Sequence, residues 1–422
     1  MLLMIAAIIL VTVGAGFAYV STVLNATTKS FSKTYSKINE KSNQTIKATK
    51  PLTILLMGVD TGGDRGGSQD WNGNSDSQIV MTLNPKTHTT TMISMERDTM
   101  TNILDDQGNI ISTQKMNAAY PSGYNAGGFD GAVKYAMTTI GAQAGVNIDN
   151  FVTMNFDGIQ NLVNNVGGIT VDNTSGTTLY ISNTEPDYTA TVPPGVQHIN
   201  GEQALVYARD RDHLPNGDYG RAAHQREVIS AVTKKLISLD NITQYQKFLN
   251  DISQDFKTNI AINASTLPSL AAYKDCFDKV VSVQYQGIGD EVDGVSYQFM
   301  PQETDLAVQN VMRKSLGEST IDTLDNSVIT YESYFGAQAS GYLLPSATVT
   351  EKGKSTTYGV SDDGSLVNIN ADNSGQYVST SGAAVTSDQP ASSSSESVAS
   401  SSSTPQTSPS DDSTADTTTY NQ

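Results

Sequence analysis

TILLMGV, Thr53–Val59, is the stretch on which the fold turns: a short apolar run stopped by a Gly- and Asp-rich loop, the pattern of a β-strand. Working outward, SQIVMTL (Ser77–Leu83) and THTTTMISM (Thr87–Met95) read as a strand pair around the turn Asn84-Pro85-Lys86. GGFDGAVKYAMTTIGAQAG (Gly127–Gly145) is an amphipathic helix between glycines, and NFVTMNF (Asn150–Phe156) is a strand. DGIQNLVNNVGG (Asp157–Gly168) is a helix with an Asp start and a Gly-Gly stop. EQALVYAR (Glu202–Arg209) and AAHQREVISAVTKKLISL (Ala222–Leu239) are two more helices. This alternation predicts an α/β layered domain from about Pro51 to Leu239. Residues 240–317 read as mainly helical, with one strand signal at Val280–Tyr285, and continue the same body, so the domain is expected to span 51–317. Residues 318–374 fit neither period and are left as an extension.

The chain has 422 residues, 37% hydrophobic and 16% charged, with 43 acids against 25 bases for a net charge of −18. An acidic balance opposes binding to DNA, RNA or anionic lipid, so nucleic acid is excluded as a partner class. The single cysteine, Cys276, cannot form an internal disulfide. Leu2–Leu24 carries no charge over 23 residues, long enough at about 1.5 Å per residue to cross a ~30 Å hydrocarbon core. Residues 1–24 are therefore expected to be a transmembrane anchor or an uncleaved signal, with 25–50 a juxtamembrane stalk. Lys29, Lys33, Lys37, Lys41, Lys47 and Lys50 all follow the span, which taken alone would place the large domain in the cytoplasm. Charge therefore leaves the orientation open. At the other end, Ser355–Gln422 holds eight acids and no Lys or Arg, and Ser and Thr fill 18 of the last 32 positions. Residues 375–422 read as a disordered acidic tail.

No GxSxG, Walker A, HExxH or cysteine-pair signature is present. In a chain this sparing of charge, the chemistry is sought where charge is dense. The first cluster is GVDTGGDRGGSQDWNGNSDSQIV (Gly58–Val80) with SMERDT (Ser94–Thr99). It places Asp60, Asp64, Asp70 and Asp76 on a glycine-rich loop after a strand, where open α/β sheets bind ligands. Carboxylates of this kind suit a hard cation such as Mg²⁺; a solvated Asx-rich turn is the other reading. The second is YARDRDHLPNGDYGRAAHQR (Tyr207–Arg226). With Arg221 beginning the next helix, a hairpin through Asn216-Gly217 brings Arg209, Arg211 and Arg221 around one pocket, and forked guanidiniums match phosphate oxygens. A surface mesh of Arg–Asp salt bridges is the alternative. Together the clusters suggest a metal-assisted pyrophosphate site.

GVD with DR (Gly58–Arg65), NSDS (Asn74–Ser77), SMERDT, KMNAAY (Lys115–Tyr120) followed by Gly127-Gly128, NFDGIQNLVNNVGGITV, INGEQALVYARDR and GDYGRAAHQREVI resemble the LytR-CpsA-Psr family, in order over about Pro51–Leu239. The resemblance implies an α-β-α domain with a mixed central sheet. It implies a membrane-anchored extracytoplasmic phosphotransferase of Gram-positive bacteria that moves a glycopolymer, such as teichoic acid or capsule, from undecaprenyl pyrophosphate to peptidoglycan. Mapped onto these positions, it implies that Asp64 and Asp76 hold Mg²⁺, with Asp60 the alternative to Asp64. Arg65, Arg97, Arg209, Arg211 and Arg221 bind pyrophosphate with Gln225 lining the site, and Arg97 and Asp218 are catalytic, Asp218 orienting the arginines or, like Asp98, taking the proton. Apolar residues of the helices after Ala132 and after Gln225 are expected to line a slot for the polyprenyl chain or to be plain core. Three positions depart from the family pattern: Asn74 and His224 where Arg is usual, and Glu96 where Pro is usual. His224 is expected to supply a titratable group. A polyprenyl-pyrophosphate hydrolase and a non-enzymatic envelope regulator are the alternative functions.

Overall fold

The apolar run TILLMGV lies in β1 (Leu52–Val59), a strand within a nine-stranded sheet. Its side chains alternate between two cores. Leu52, Ile54 and Leu56 enter one cluster, and Leu55, Met57 and Val59 the other, none more than 8% exposed. Each such fully buried aliphatic side chain contributes roughly 1.5–3 kcal/mol of burial free energy, so both faces of the sheet must be covered.

The computed structural model describes residues 35–37, 49–61, 71–182, 188–215, 217–237, 251, 255–261, 269 and 273–368. The expected anchor, most of the stalk, the acidic tail and the candidate residues Asp64 and Arg65 lie outside them. Among the described residues no helix is long and apolar enough to cross a membrane.

Antiparallel to β1 runs β2 (Ser75–Asn84), and antiparallel to that β3 (Thr89–Met95), joined by the expected turn. On the other side β6 (Asn150–Met154) is parallel to β1, and β9 (Phe256–Thr258) is antiparallel to β6. Beyond β3 lies β10 (Lys279–Gln284), parallel to it, followed by β13 (Ser346–Glu351), β14 (Lys354–Val360) and β15 (Leu366–Asn368), each antiparallel to its neighbour. The sheet is mixed, in the order β15-β14-β13-β10-β3-β2-β1-β6-β9. One face carries α2 (Phe156–Asn165), α3 (Gly201–Arg209) and α4 (Gly217–Ile237), and the other α1 (Ala119–Ala144) and α5 (Gln302–Leu316). Three small hairpins decorate this α-β-α body: β4 (Met100–Leu104) with β5 (Ile110–Lys115), β7 (Ile169–Asn173) with β8 (Gly195–Ile199), and β11 (Ile288–Val292) with β12 (Val295–Phe299).

Several elements differ from the sequence reading. Helix α1 begins at Ala119 rather than Gly127. Gly127 (φ −157°) and Gly128 (φ 61°) break it into two segments, which pack so closely that a Cβ on Gly123 or Gly131 would collide with the other's carbonyl oxygen. Helix α4 begins at Gly217, not Ala222, because Asp218 in its first turn complements the helix dipole despite the flanking glycines. Arg221 therefore sits one turn inside α4 rather than at its start. The segment 279–299 is three strands rather than mostly helix. Its hairpin turns on Asp293-Gly294 (φ 52° and 78°), an Asp-Gly signal of a tight primed turn. Gly317 is no boundary, since β13, β14 and β15 extend the central sheet to residue 368. Residues 331–335 form a short helix, α6 (Tyr331–Phe335).

Candidate active site

The carboxyl end of β1, the start of β2 and the end of β6 meet at one edge of the sheet, and between them and α4 opens a cavity of about 280 Å³. Antiparallel pairing puts the first residues of β2 beside the last of β1, with Ser77 opposite Gly58. Asp76 and Ser77 thereby reach the strand-end position where α/β sheets bind ligands. The chain approaches closely here: a Cβ on Gly73 would lie 2.6 Å from the Asp60 carbonyl oxygen, and the Asp60 N–H donates to the Asn74 carbonyl at 2.9 Å.

Asp76, Arg97, Arg209, Arg211, Arg221 and Gln225 all line this cavity, brought from four places in the sequence. Arg209 ends α3, whose start is fixed by a capping box between Asn200 and Gln203. Arg97 follows β3 and sits among three carboxylates: Nη1 is 3.1 Å from Asp76, and Nε is 3.4 Å from Asp98 and 3.7 Å from Asp218. Burial works against its charge, but these carboxylates outweigh burial and hold Arg97 above its ordinary pKa. Asp218 also pairs with Arg221 at 2.7 Å and Arg211 at 3.8 Å. Arg221 Nη2 reaches back to the Asp76 backbone carbonyl at 3.4 Å. Arg209 donates to the Tyr188 hydroxyl at 3.2 Å. Gln225 locks sheet to helices, accepting from Ser77 Oγ at 2.7 Å and donating to the Ala208 carbonyl at 3.1 Å.

The inner wall is apolar: Leu56, Ile79 and Met154 from the sheet, Ile159 from α2, Val228 and Ile229 from α4. The helix after Ala132 packs on the opposite face of the sheet and contributes nothing to it. The helix after Gln225 does line it. The cavity thus brings four guanidiniums and an apolar wall around one space.

Carboxylate oxygens of Glu96, Asp98 and Asp218 lie within 4.8 Å of one another. Glu96 is 8% exposed, and its burial, then Asp218 and Asp98, raise its pKa to about 7. Asp98 is also bound by Lys115 Nζ at 2.8 Å. Arg97, Arg211, Arg221 and Lys115 already engage the charge of Asp98 and Asp218 in this trio. Asp76 is a better donor for Mg²⁺: it is an oxygen ligand at the cavity wall, and its contacts from Arg97 and Asn117 (3.2 Å) both fall on Oδ1.

Of the three departures, Asn74 is exposed beside the Gly73 turn. His224 points away from the cavity, stacked on Tyr207 (centroids 3.9 Å apart, 11° between planes), with Nδ1 3.1 Å from the Tyr207 carbonyl. Burial lowers its pKa, so it is a neutral core side chain and not the titratable site group expected. Arg226 is half-buried and donates to Ser94 and Gln284, and desolvation lowers its pKa to about 10. Lys115, Asn117 and Tyr188 join the site by contacts to Asp98, Asp76 and Arg209 that no charge cluster in the sequence marks. The first two lie in KMNAAY, and Tyr188 had no local signal.

The sequence profile of the LytR_cpsA_psr family matches residues 19–314. Biofilm regulatory protein A of Streptococcus mutans is 42% identical over 297 residues, 69% of this chain and 71% of that protein. The polyisoprenyl-teichoic acid–peptidoglycan teichoic acid transferase TagU of Enterococcus faecalis is 38% identical over 267 residues, 63% of this chain and 80% of that protein. A crystal structure of a Streptococcus agalactiae protein, 44% identical, superposes with a TM-score of 0.61 over 68% of this chain and 95% of that one.

Proposed function

The chain belongs to the LytR-CpsA-Psr family, and from that premise we propose that it is a membrane-anchored extracytoplasmic phosphotransferase that moves a wall glycopolymer from undecaprenyl pyrophosphate to peptidoglycan. The observation that carries this reading is the amphiphilic cavity: four guanidiniums and a wall of aliphatic side chains line one space. A lipid pyrophosphate has the same division between a dianionic head and an apolar chain. The Enterococcus faecalis relative, a polyisoprenyl-teichoic acid–peptidoglycan teichoic acid transferase, supports the same reaction class.

In this reaction a peptidoglycan hydroxyl oxygen forms a new bond to the proximal sugar phosphorus. The bond to the polyprenyl phosphate oxygen breaks, and polyprenyl phosphate leaves with the electron pair. The hydroxyl proton passes to a carboxylate, Asp218 or Asp98. Arg97, Arg209, Arg211 and Arg221, with Arg65 from outside the described residues, hold the two phosphates and take up developing charge, each such donor contributing about 10²–10³ in rate. Mg²⁺ held by Asp76, together with Asp64, would supply further charge neutralisation at the phosphates.

Product analysis with and without a muropeptide acceptor tests the reading. Transfer to the acceptor, abolished by EDTA and restored by Mg²⁺, is expected. Release of free phosphoglycan regardless of acceptor would make the chain a hydrolase, and no turnover of the donor at all would leave the regulatory reading.

A further inference from the structure

From Asp98 a continuous path of contacts leads away from the cavity to an exposed aromatic surface. Lys115 Nζ, bound to Asp98, lies 5.7 Å from the centroid of the Tyr297 ring. Tyr297 on β12 is 6.2 Å from Phe299, which is 4.8 Å from both Tyr334 and Phe335 of α6. Phe335 in turn meets Tyr331 at 4.7 Å. Phe299 is buried beneath, while Tyr334 and Phe335 are 41% and 38% exposed. Packing of a core does not require large rings left this open.

The surface is held rigidly and tied to the site. The α6 helix starts with a capping box between Thr330 and Ser333 and ends at Gly336 in the left-handed region (φ 66°), and its Tyr331 N–H donates to the Met300 carbonyl at 2.8 Å. The β11–β12 hairpin is fixed to the site by the Gln298 N–H, which donates to the Asp98 carbonyl at 2.9 Å, and by the Tyr219 hydroxyl on Gln298 at 3.2 Å.

The chemistry of the rim selects the occupant. Residues 333–341, SYFGAQASG, carry no charge. The one acid of α6, Glu332, turns its carboxylate to the N–H of Gln302 at 2.8 Å. Asp290 stands opposite Tyr297 across the hairpin and so on the same face, exposed, as a hydroxyl acceptor. Flat rings, hydroxyl and amide neighbours and an acceptor carboxylate match a neutral polyhydroxylated ring, whose C–H face stacks on aromatics while its hydroxyls bond the rim. An anionic membrane or acidic protein would want clustered bases, which this rim lacks.

We propose that Tyr297, Tyr331, Tyr334 and Phe335 form a glycan-stacking surface that holds the sugar strand of the acceptor and delivers its hydroxyl past Lys115 to Asp98 and Asp218. This rests on reading the neighbouring cavity as a glycan-transferase site, and it adds the place where the acceptor binds.

The test titrates the full chain with a soluble β-1,4-linked N-acetylglucosamine oligosaccharide, following binding by calorimetry and by amide shift changes. Inorganic pyrophosphate, titrated into the same samples, reports the cavity separately. The native chain is expected to bind the oligosaccharide with shift changes at 295–299 and 331–335, and Tyr334→Ala/Phe335→Ala to weaken that binding at least five-fold. Tyr334→Trp, which keeps the ring face, is expected to retain it. Arg97→Ala should weaken pyrophosphate binding and spare the oligosaccharide, so a failed cavity assignment is distinguished from a failed surface assignment. No oligosaccharide binding by the native chain, shift changes elsewhere, or equal binding by the alanine variant would overturn the proposal. So would concentration-dependent dimerisation of the native chain that the alanine variant loses, since the occupant would then be a second copy.

Discussion

Asp218 Oδ2 lies 2.7 Å from Arg221 Nη2, one helical turn apart on α4, and the same carboxylate reaches Arg97 at 3.7 Å and Arg211 at 3.8 Å. One side chain thus sets the spacing of three guanidiniums. It stands in the first turn of α4, where the positive end of the helix dipole complements a carboxylate.

Asp218→Asn should therefore lower kcat for transfer by about 10²-fold or more, the usual scale for a lost general base. Asp98→Asn should cost under about 10-fold, because Asp218 lines the recess shared with Asp76, Arg97 and Arg221 and Asp98 does not. Steady-state kinetics of both variants checks this, and the reverse order would make Asp98 the proton acceptor.

Glu96 makes a stability prediction with a definite sign. Its folded pKa, about 7, lies above the ordinary 4.5. Its favourable contribution is thus complete below pH 4.5 and lost as pH rises through 7. Glu96→Gln, neutral throughout, should match the native chain near pH 4 and be more stable at pH 8 by on the order of 3 kcal/mol at most. Denaturant melts at the two pH values read this directly. Equal stability at pH 8 would mean that Glu96 is not held among like charges.

His224 should be structural. Its ring stacks on Tyr207 and its Nδ1 meets the Tyr207 carbonyl, so His224→Ala should cost roughly 1–3 kcal/mol while leaving the pH profile of transfer in place. A displaced profile would bring the imidazole into the mechanism.

At Gly73 an added methyl would press on the Asp60 carbonyl and on Thr61 Cγ2, at 2.6 and 2.7 Å. Gly73→Ala should destabilise by about 1–3 kcal/mol and weaken Mg²⁺ dependence by moving the turn that leads to Asp76. Thermal melts and a Mg²⁺ titration of transfer measure the two effects.

How far these features were legible follows from which forces are local. β1, β2, β3 and β6 were visible because a strand buried on both faces needs an unbroken apolar run. The carboxyl end of β1 was a fair place to look for a site for the same reason. The early starts of α1 and α4 were hidden by Gly127-Gly128, which do interrupt α1, and by Gly217-Asp218-Tyr219-Gly220, where glycines lower helix propensity but tertiary packing overrides it. β13 and β14 are polar edge-side strands, so their Thr- and Ser-rich sequences show little alternation. His224 illustrates the limit: a position expected to give the site a titratable group by its place among arginines faces Tyr207, because a helix turns about 100° per residue.

The most direct measurement is transfer of a labelled glycan from a polyprenyl pyrophosphate donor to peptidoglycan, comparing the native chain with Arg209→Ala and Asp76→Ala. Transfer by the native chain and a loss of about 10²-fold or more in each variant is the predicted result. Transfer by both variants at the native rate would contradict the assignment of this cavity as the pyrophosphate site.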